Sequence, residues 1–239
     1  MVVSPPSPPA SQHGRIRACA GLRYSRGRLR RTFGAVLLPA VLGGALSGVA
    51  GAYTATLNPA SPKTIYLQVG VGSFTNDYIY GGQPGNNATV NLVTVTVPAA
   101  AVGNGTAQAM TTNSTATQSF WDGYTYCSVP AQLYIGGFYR TAGAATGTAV
   151  VTATVPPALT DAVGDKIPFT SIQWTSSGNG DTGAEPFPAG TFVNGGVQTV
   201  GSMASNTWNE SCWNFSYMNT TVPASGTYTG VVLYTMTAP

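Results

Sequence analysis

The sequence has 239 residues, few charges and a single histidine, and these features together exclude several classes of function. The formal net charge of +3 divides unevenly: residues 1–52 carry seven arginines and no acid, whereas residues 53–239 carry a net charge of −4. The histidine, His13, lies in the first segment. Residues 53–239 therefore cannot form a Ser-His-Asp site, a Cys-His site or the usual zinc site. Without a basic face they also do not suit nucleic acid or an anionic membrane as a partner.

The first predicted element is a leader, residues 1–52, with the layout of a secretory signal peptide. Arginines precede an apolar run that starts at Phe33, and the run ends in an A-x-A site formed by Ala50 and Ala52. We predict cleavage after Ala52, export to the periplasm, the medium or the cell surface, and no membrane contact afterwards. A transmembrane anchor is the alternative, which several glycines and Pro39 disfavour. Arg30-Arg31-Thr32-Phe33 matches part of a twin-arginine signal, so the export route stays open.

The composition of residues 53–239 predicts an all-β domain. We count 31 threonines after residue 52, whereas lysine and glutamate, the usual residues of helix surfaces, are nearly absent. Abundant glycine, asparagine and proline favour turns. Eleven tyrosines, seven phenylalanines and four tryptophans supply a core, which disfavours disorder.

Short β-rich runs between turn signals predict an immunoglobulin-like or pilin-like β-sandwich. The last run is predicted to be a central structural element and not a tail, with Tyr228, Val232, Tyr234 and Met236 facing the core and Gly230 marking a bulge or a close contact. Faint similarity between the halves leaves open two lobes that part near Thr141–Thr148. The predicted strands are Thr64–Val71, Thr89–Val97, Ser119–Cys127, Ala131–Arg140, Thr148–Val155, Ile167–Thr175, Thr191–Val193, Val197–Met203, Cys212–Met218 and Thr227–Thr237.

Two cysteines, Cys127 and Cys212, remain after the predicted cleavage, because Cys19 leaves with the leader. In an oxidising compartment such a pair predicts a disulfide. A metal-binding or reactive pair is the alternative, but no second type of ligand clusters with either cysteine.

Carboxylates are the acid–base groups left for chemistry, and they leave glycoside hydrolysis as an alternative. Several of these carboxylates lie next to glycines, so their first interpretation is as turn residues. The segment from Asn179 to Glu185 also resembles a cation loop, with a hairpin loop as the other interpretation. The seven acids are Asp77, Asp122, Asp161, Asp165, Asp181, Glu185 and Glu210.

Aromatic residues cluster near both cysteines, and two of them are candidates for stacking on a sugar. Most of the cluster is expected to pack against the disulfide in the core. Trp121 and Trp208 adjoin polar loop residues, so we expect these two side chains to be accessible.

The C-terminal part of the chain resembles a group of uncharacterised secreted proteobacterial proteins. The similarity is carried by residues 215–219, 222–230 and 233–239, and residues 127–140, 167–174 and 206–212 fit the same group. The stretch Gly226-Thr-Tyr-Thr-Gly-Val-Val232 is also similar to pilus subunits of the spore-coat-U type. That resemblance implies assembly through an N-terminal donor strand, for which Tyr53, Ala55 and Leu57 have a suitable alternation, although Pro59 and Pro62 cut the segment short.

The sequence therefore predicts one exported, disulfide-bonded β-sandwich, residues 53–239, with a structural or adhesive role at the bacterial surface. We expect no catalytic residues, metal or cofactor, and partners that are copies of itself, other surface subunits or glycans. A carbohydrate-binding module or a carboxylate-dependent glycoside hydrolase is the alternative.

Overall fold

The computed structural model describes residues 54–75, 83–85, 87, 89–143, 147–178 and 183–239. The predicted leader, its cleavage site and Tyr53 lie outside these residues, as do Asp77 and most of the predicted cation loop, including Asp181. The described chain is all-β, with two short 3-10 helices at Ala99–Ala101 and Phe169–Ser171. Its strands are β1 Thr54–Thr56, β2 Thr64–Val69, β3 Phe74–Thr75, β4 Gln83–Pro84, β5 Val93–Thr94, β6 Gln108–Ala109, β7 Thr111–Thr112, β8 Leu133–Arg140, β9 Thr148–Val155, β10 Ala158–Thr160, β11 Lys166–Pro168, β12 Ile172–Ser177, β13 Gly190–Thr191, β14 Gly196–Ala204, β15 Thr207–Tyr217 and β16 Leu233–Thr237.

Two antiparallel sheets form the sandwich. The larger sheet has the order β13-β12-β15-β8-β2, and β1 and β6 also pair with the long strand β15. The smaller sheet has the order β14-β9-β16. Between β8 and β9 the chain passes from the larger sheet to the smaller one, and the two-lobe alternative with a boundary near Thr141–Thr148 stays a prediction.

The main core lies between the two sheets. The larger sheet contributes Ile135, Trp174 and Trp213, and the smaller sheet contributes Val151 and Met203. Strand β9 has the period-two pattern expected of a half-buried strand, with Ala149, Val151, Ala153 and Val155 buried.

A second buried layer covers the opposite face of the larger sheet. Every residue of β8 is buried, and so is nearly all of β15, because both faces of these strands are covered. Tyr66, Phe138 and Trp208 form one cluster on this face, and Tyr134 packs with the two cysteines in another. The segment 113–128 approaches this face, since Tyr126 donates a hydrogen bond of 2.8 Å to the backbone carbonyl of Glu210.

Three predicted strands differ in the structure. Residues 119–127 form a turn at Gly123, which has φ of +75°, and only the bridge between Gln118 and Thr125 is β-paired. In the predicted strand 89–97, only Val93 and Thr94 are paired, although Val93, Val95 and Val97 pack against the core. A 3-10 turn interrupts the predicted strand 167–175. In each case β-favouring residues lack a continuous partner strand, and pairing is what defines a strand.

The C-terminal strand has the predicted faces but is shorter than predicted. Tyr228, Val232, Tyr234 and Met236 pack against the core, which confirms the alternation. A Cβ at Gly230 would lie 2.7 Å from the ring of Phe169, which confirms a close contact. However, the paired strand begins only at Leu233 and pairs only with β9 in the described structure, so β16 is shorter than the predicted strand Thr227–Thr237.

The segment proposed as a donor strand is part of the larger sheet of the same chain. Thr54–Thr56 pairs with β15 beside Trp208, and the backbone N–H of Leu57 donates to the carbonyl of Asn206 at 2.9 Å. The Leu57 side chain is only 1% exposed. These contacts make the N-terminal segment a structural element of the monomer.

Candidate functional site

The predicted disulfide is present and holds segment 113–128 against the larger sheet. Cys127 and Cys212 are bonded with a Cα–Cα distance of 5.6 Å, and they are separated by 85 positions in the sequence. Both are buried beside Tyr126 and Tyr134. The bridge therefore joins the covering segment to β15, two residues beyond Glu210.

Trp208 does not have the surface position expected of a sugar-stacking residue. Its side chain is 0% exposed, and its indole N–H donates to Glu210 Oε2 at 3.0 Å. The expectation that Trp208 is accessible is therefore wrong, because the second layer covers the face on which it lies. Trp121 is half-buried against the same cluster, and its stacking role stays a prediction.

Glu210 is the most unusual group in the described structure, because it is a carboxyl group with no exposed surface. It pairs in register with Gly136 of β8, and a Cβ on that glycine would lie 3.0 Å from Glu210 Cβ. The Glu210 side chain thus lies over Gly136, which has no side chain. Its Oε2 accepts hydrogen bonds from the Tyr134 hydroxyl at 2.6 Å and from Trp208.

Burial raises the pKa of Glu210 above its ordinary value of 4.5. Hydrogen bonds from Tyr134 and Trp208 and the nearby side chain of Ser119 oppose this effect, while the negative charge of Asp122 adds to it. Glu210 Oε1 has no hydrogen-bond partner among the described residues. This environment favours the neutral acid.

A cavity of about 250 Å³ lies at the covering segment, lined by residues 115–120 with Val71 and Gly72. Ser119 lines this cavity and also lowers the pKa of Glu210, so the cavity and the buried acid share a wall. This is the arrangement in the described structure that comes nearest to a ligand pocket with an acid–base group beside it.

Two of the other described carboxylates, Asp161 and Asp122, accept hydrogen bonds in turns. Asp161 Oδ1 accepts the backbone N–H groups of Val163, Gly164 and Asp165 at 2.8–3.0 Å, which stabilises the β10–β11 turn. Asp122 Oδ1 accepts a hydrogen bond from the backbone N–H of Tyr124 at 2.9 Å, which caps the turn at Gly123. These two confirm the interpretation of acids as turn residues.

Glu185 and the two core tryptophans fix the loop before β13. Glu185 accepts a hydrogen bond from Ser211 at 2.9 Å. The indole N–H groups of Trp174 and Trp213 donate to the carbonyls of Pro188 and Phe187. Among the described residues, no group of three or more potential ligands could hold a metal ion.

The outer face of the smaller sheet is a second candidate site, and it carries no charge. Nine side chains form three rows across β14, β9 and β16, in the register of the strand pairs. Leu233 is 63% exposed and the neighbouring Val231 is 73% exposed. The rows are Val197–Thr154–Leu233, Thr199–Thr152–Thr235 and Ser202–Val150–Thr237.

The two edge strands of the smaller sheet, β14 and β16, differ in the features that hinder pairing with another chain. Strand β14 has a bulge between Thr199 and Gly201, and the Gln198 side chain bonds to the backbone of Thr191 and Val193. Strand β16 has neither a bulge nor a charged residue, and no described strand pairs with its outer edge. Uncharged, regular edges are where another chain can add a strand.

Comparison with protein-family models, with curated proteins and with solved structures found no match. Within the described residues there is no helix of the length and hydropathy that a membrane crossing requires.

Proposed function

We propose that the protein is a secreted or cell-surface structural or adhesive protein, and that it acts without catalysis. The observation that carries this proposal is the edge of β16, which no described strand pairs with and which borders a charge-free sheet face. Folded proteins normally blunt such edges with charges, bulges or covering segments, and β14 of the same sheet has two of these features. An edge left open beside a protected one favours a role in joining chains.

The mode of joining would be strand addition, in which main-chain hydrogen bonds extend the sheet. The resemblance of residues 226–232 to pilus subunits supports a pilus-related assembly, since those residues lead directly into β16. The pairing of β1 within its own chain argues that the N-terminal segment is not the strand that is exchanged.

The proposal is tested by measuring whether the protein is retained at the cell surface when the β16 edge is blocked. Thr235→Lys places a charge on the β16 edge, and Thr199→Lys places the same charge on the same row at the β14 edge. We expect the first variant to be lost from surface assemblies in cell fractionation, and the second to be retained. Equal melting temperatures would show that both variants fold. Wild-type protein found only as monomer in the medium would contradict the proposal.

A carbohydrate-binding or glycoside-hydrolysing role is the second candidate, and the cavity beside Glu210 favours it. A carboxyl group with a raised pKa is what a general acid requires. Against this role, Glu210 is fully buried and bonded to Tyr134 and Trp208, whereas a catalytic acid must reach the substrate. The position of Glu210 thus favours the structural interpretation.

Oligosaccharide titration distinguishes the two candidates. For a sugar site at the cavity, soluble oligosaccharides should change tryptophan fluorescence, and Trp121→Phe should remove that change because Trp208 is inaccessible. For a structural role, neither protein should respond. Sugar release that depends on Glu210 would establish the second candidate in place of the first.

A further inference from the structure

We propose that residues 113–125 form a lid over the larger sheet, and that this lid opens when Glu210 loses its proton. In the closed form, the side chains of Glu210 and Trp208 are both 0% exposed. Opening would uncover the apolar cluster of Tyr66, Phe138 and Trp208 on the face that the second layer covers. The inference goes beyond the proposed function and does not depend on it.

Three side chains of the lid lie against the covered face. Phe120 and Trp121 are half-buried against the cluster that contains Trp208. Ser119 is only 2% exposed and lies near enough to Glu210 to influence its pKa. The lid therefore contacts apolar rings and a carboxyl group together, so a change in the charge of that carboxyl group acts directly on the lid.

The chain is anchored at both ends of the lid. Just before the lid, the backbone N–H of Thr112 in β7 donates to the carbonyl of Pro130 at 2.8 Å. Just after it, Cys127 is bonded to Cys212 of β15. Movement of the lid is therefore local, and the anchored ends return it to the same place when it closes.

Backbone hydrogen bonds within the segment hold the lid together as a unit. The N–H of Ser119 donates to the carbonyl of Tyr124 at 2.9 Å, and the N–H of Gly123 donates to the carbonyl of Ser119 at 3.0 Å. The N–H of Tyr126 donates to the carbonyl of Thr117 at 2.7 Å. These bonds can persist while the lid moves. Segments with little regular pairing to the rest of a fold are the ones that open locally.

The cavity of about 250 Å³ lies between the lid and the loop that follows β2. Residues 115–120 of the lid form one side of the cavity, and Val71 and Gly72 form the other. Well-packed interiors contain few voids larger than a water molecule. The lid thus lacks close packing along this side, which lowers the cost of moving it.

The groups that face Glu210 do not supply a positive charge. From β8, the Tyr134 hydroxyl donates to Oε2 at 2.6 Å, and from the covering segment Tyr126 donates to the backbone carbonyl of Glu210. Asp122 of the lid adds a negative charge. Arg140 lies on the same face of β8 as Tyr134, but it is four residues beyond Gly136, the residue paired with Glu210, or about 13 Å along the strand.

Two further ionisable groups near Glu210 bond to other residues. Tyr66 of β2 stacks on Trp208 with ring centroids 6.0 Å apart, and its hydroxyl donates to Gln68 at 2.8 Å. Glu185 accepts a hydrogen bond from Ser211, whose side chain lies on the other face of β15. Neither group compensates a negative charge on Glu210.

Loss of the proton therefore places a carboxylate in a buried site that faces Asp122. Burying a charge without a partner is costly, whereas opening the lid returns the carboxylate to water and separates it from Asp122. The neutral acid has no such cost, so the lid stays closed at acid pH. Because one proton is coupled to opening, the opening equilibrium constant should increase by up to about tenfold per pH unit above pH 4.5, until the closed form also loses the proton.

Hydroxyl-radical footprinting with mass spectrometry tests the inference on the full, disulfide-bonded chain. Trp208 lies beneath the lid, whereas Trp174 is 3% exposed in the core between the sheets, so the two indoles are matched probes. With rising pH, we expect modification of Trp208 to increase by up to about tenfold per pH unit, while that of Trp174 stays constant. In Glu210→Gln, which cannot ionise, Trp208 should stay protected throughout.

A second pair of variants changes the charge on the lid and leaves Glu210 in place. Asp122→Asn and Asp161→Asn make the same change at two acids that cap turns. Asp122→Asn should give a smaller total increase in Trp208 modification, because it removes the negative charge that faces Glu210. Asp161→Asn should behave like the wild type.

Three results would overturn the inference. Constant modification of Trp208 in the wild type would mean that the lid does not open. An equal increase in Glu210→Gln would mean that the proton on Glu210 does not control opening, and a joint increase at Trp208 and Trp174 would indicate global unfolding. If Glu210→Gln fails to fold, identical pH profiles of Asp122→Asn and the wild type would overturn the inference in its place.

Discussion

Glu210 should make the domain less stable as the pH rises. Burial raises the pKa of Glu210 in the folded state above its ordinary value of 4.5, so the folded protein holds this proton more tightly than the unfolded chain. Stability from the neutral acid is fully present below the unfolded pKa and is lost as the pH rises through the folded pKa. Between these two pKa values, one proton gives a slope of about 1.4 kcal/mol per pH unit.

Glu210→Gln removes this proton equilibrium while preserving the shape of the side chain. The glutamine carbonyl can still accept hydrogen bonds from Tyr134 and Trp208, which are 2.6 Å and 3.0 Å from Oε2. Its amide takes the place of Oε1, which has no partner in the described structure. At acid pH we therefore expect the variant and the wild type to differ by less than about 1 kcal/mol.

Urea denaturation over a pH series checks this prediction, because the difference between the two proteins isolates the titration of Glu210. The variant should gain on the wild type by up to about 1.4 kcal/mol per pH unit, beginning above pH 4.5. Asp122→Asn keeps the turn cap but removes a negative charge that raises the pKa of Glu210. The folded-state pKa of Glu210 should therefore fall, and the pH-dependent loss of stability should end at a lower pH. If the free energies of unfolding of wild type and Glu210→Gln change in parallel with pH, the prediction that Glu210 titrates with a raised pKa is refuted.

Three further changes test the fold around this site. Cys212→Ser should lower the free energy of unfolding by about 2–5 kcal/mol, and the unfolded, unreduced wild type should show no free thiol at Cys127 or Cys212. Gly136→Ala should cost about 1–3 kcal/mol in urea denaturation, because its Cβ would lie 2.5 Å from the Tyr134 hydroxyl; an unchanged midpoint would contradict the packing over Glu210. Leu57→Ala should cost about 2–5 kcal/mol, whereas the exposed Thr56→Ala should have little effect, and equal stability of the two would mean that the N-terminal segment is not part of the monomer.

Several features of this protein follow from the sequence because they depend on residue type or on local order. The disulfide is predictable because only Cys127 and Cys212 lie outside the predicted leader. The all-β class follows from the abundance of threonine and the near absence of lysine and glutamate. The inward face of the last strand follows from alternation, since neighbouring side chains on a strand must point to opposite sides.

The position of a strand within a sheet depends on distant partners, so only the tertiary structure decided it. The sequence of β16 is as apolar as that of a central strand, yet β16 lies at an edge because β9 alone pairs with it among the described strands. The sequence 119–127 has residues that favour strands, but it forms a turn that lies against another strand. Local propensity cannot report whether a partner strand is present.

The candidate site was also decided by tertiary structure. Alternation along β15 groups Trp208 and Glu210 on one face, but it does not say what covers that face. Segment 113–128, held by the disulfide, buries both side chains and makes an ordinary acid into a group with a raised pKa. The physical reason is that the solvation of a charged group depends on everything packed around it, and here those neighbours include Ser119 and Asp122, which are distant from Glu210 in the sequence.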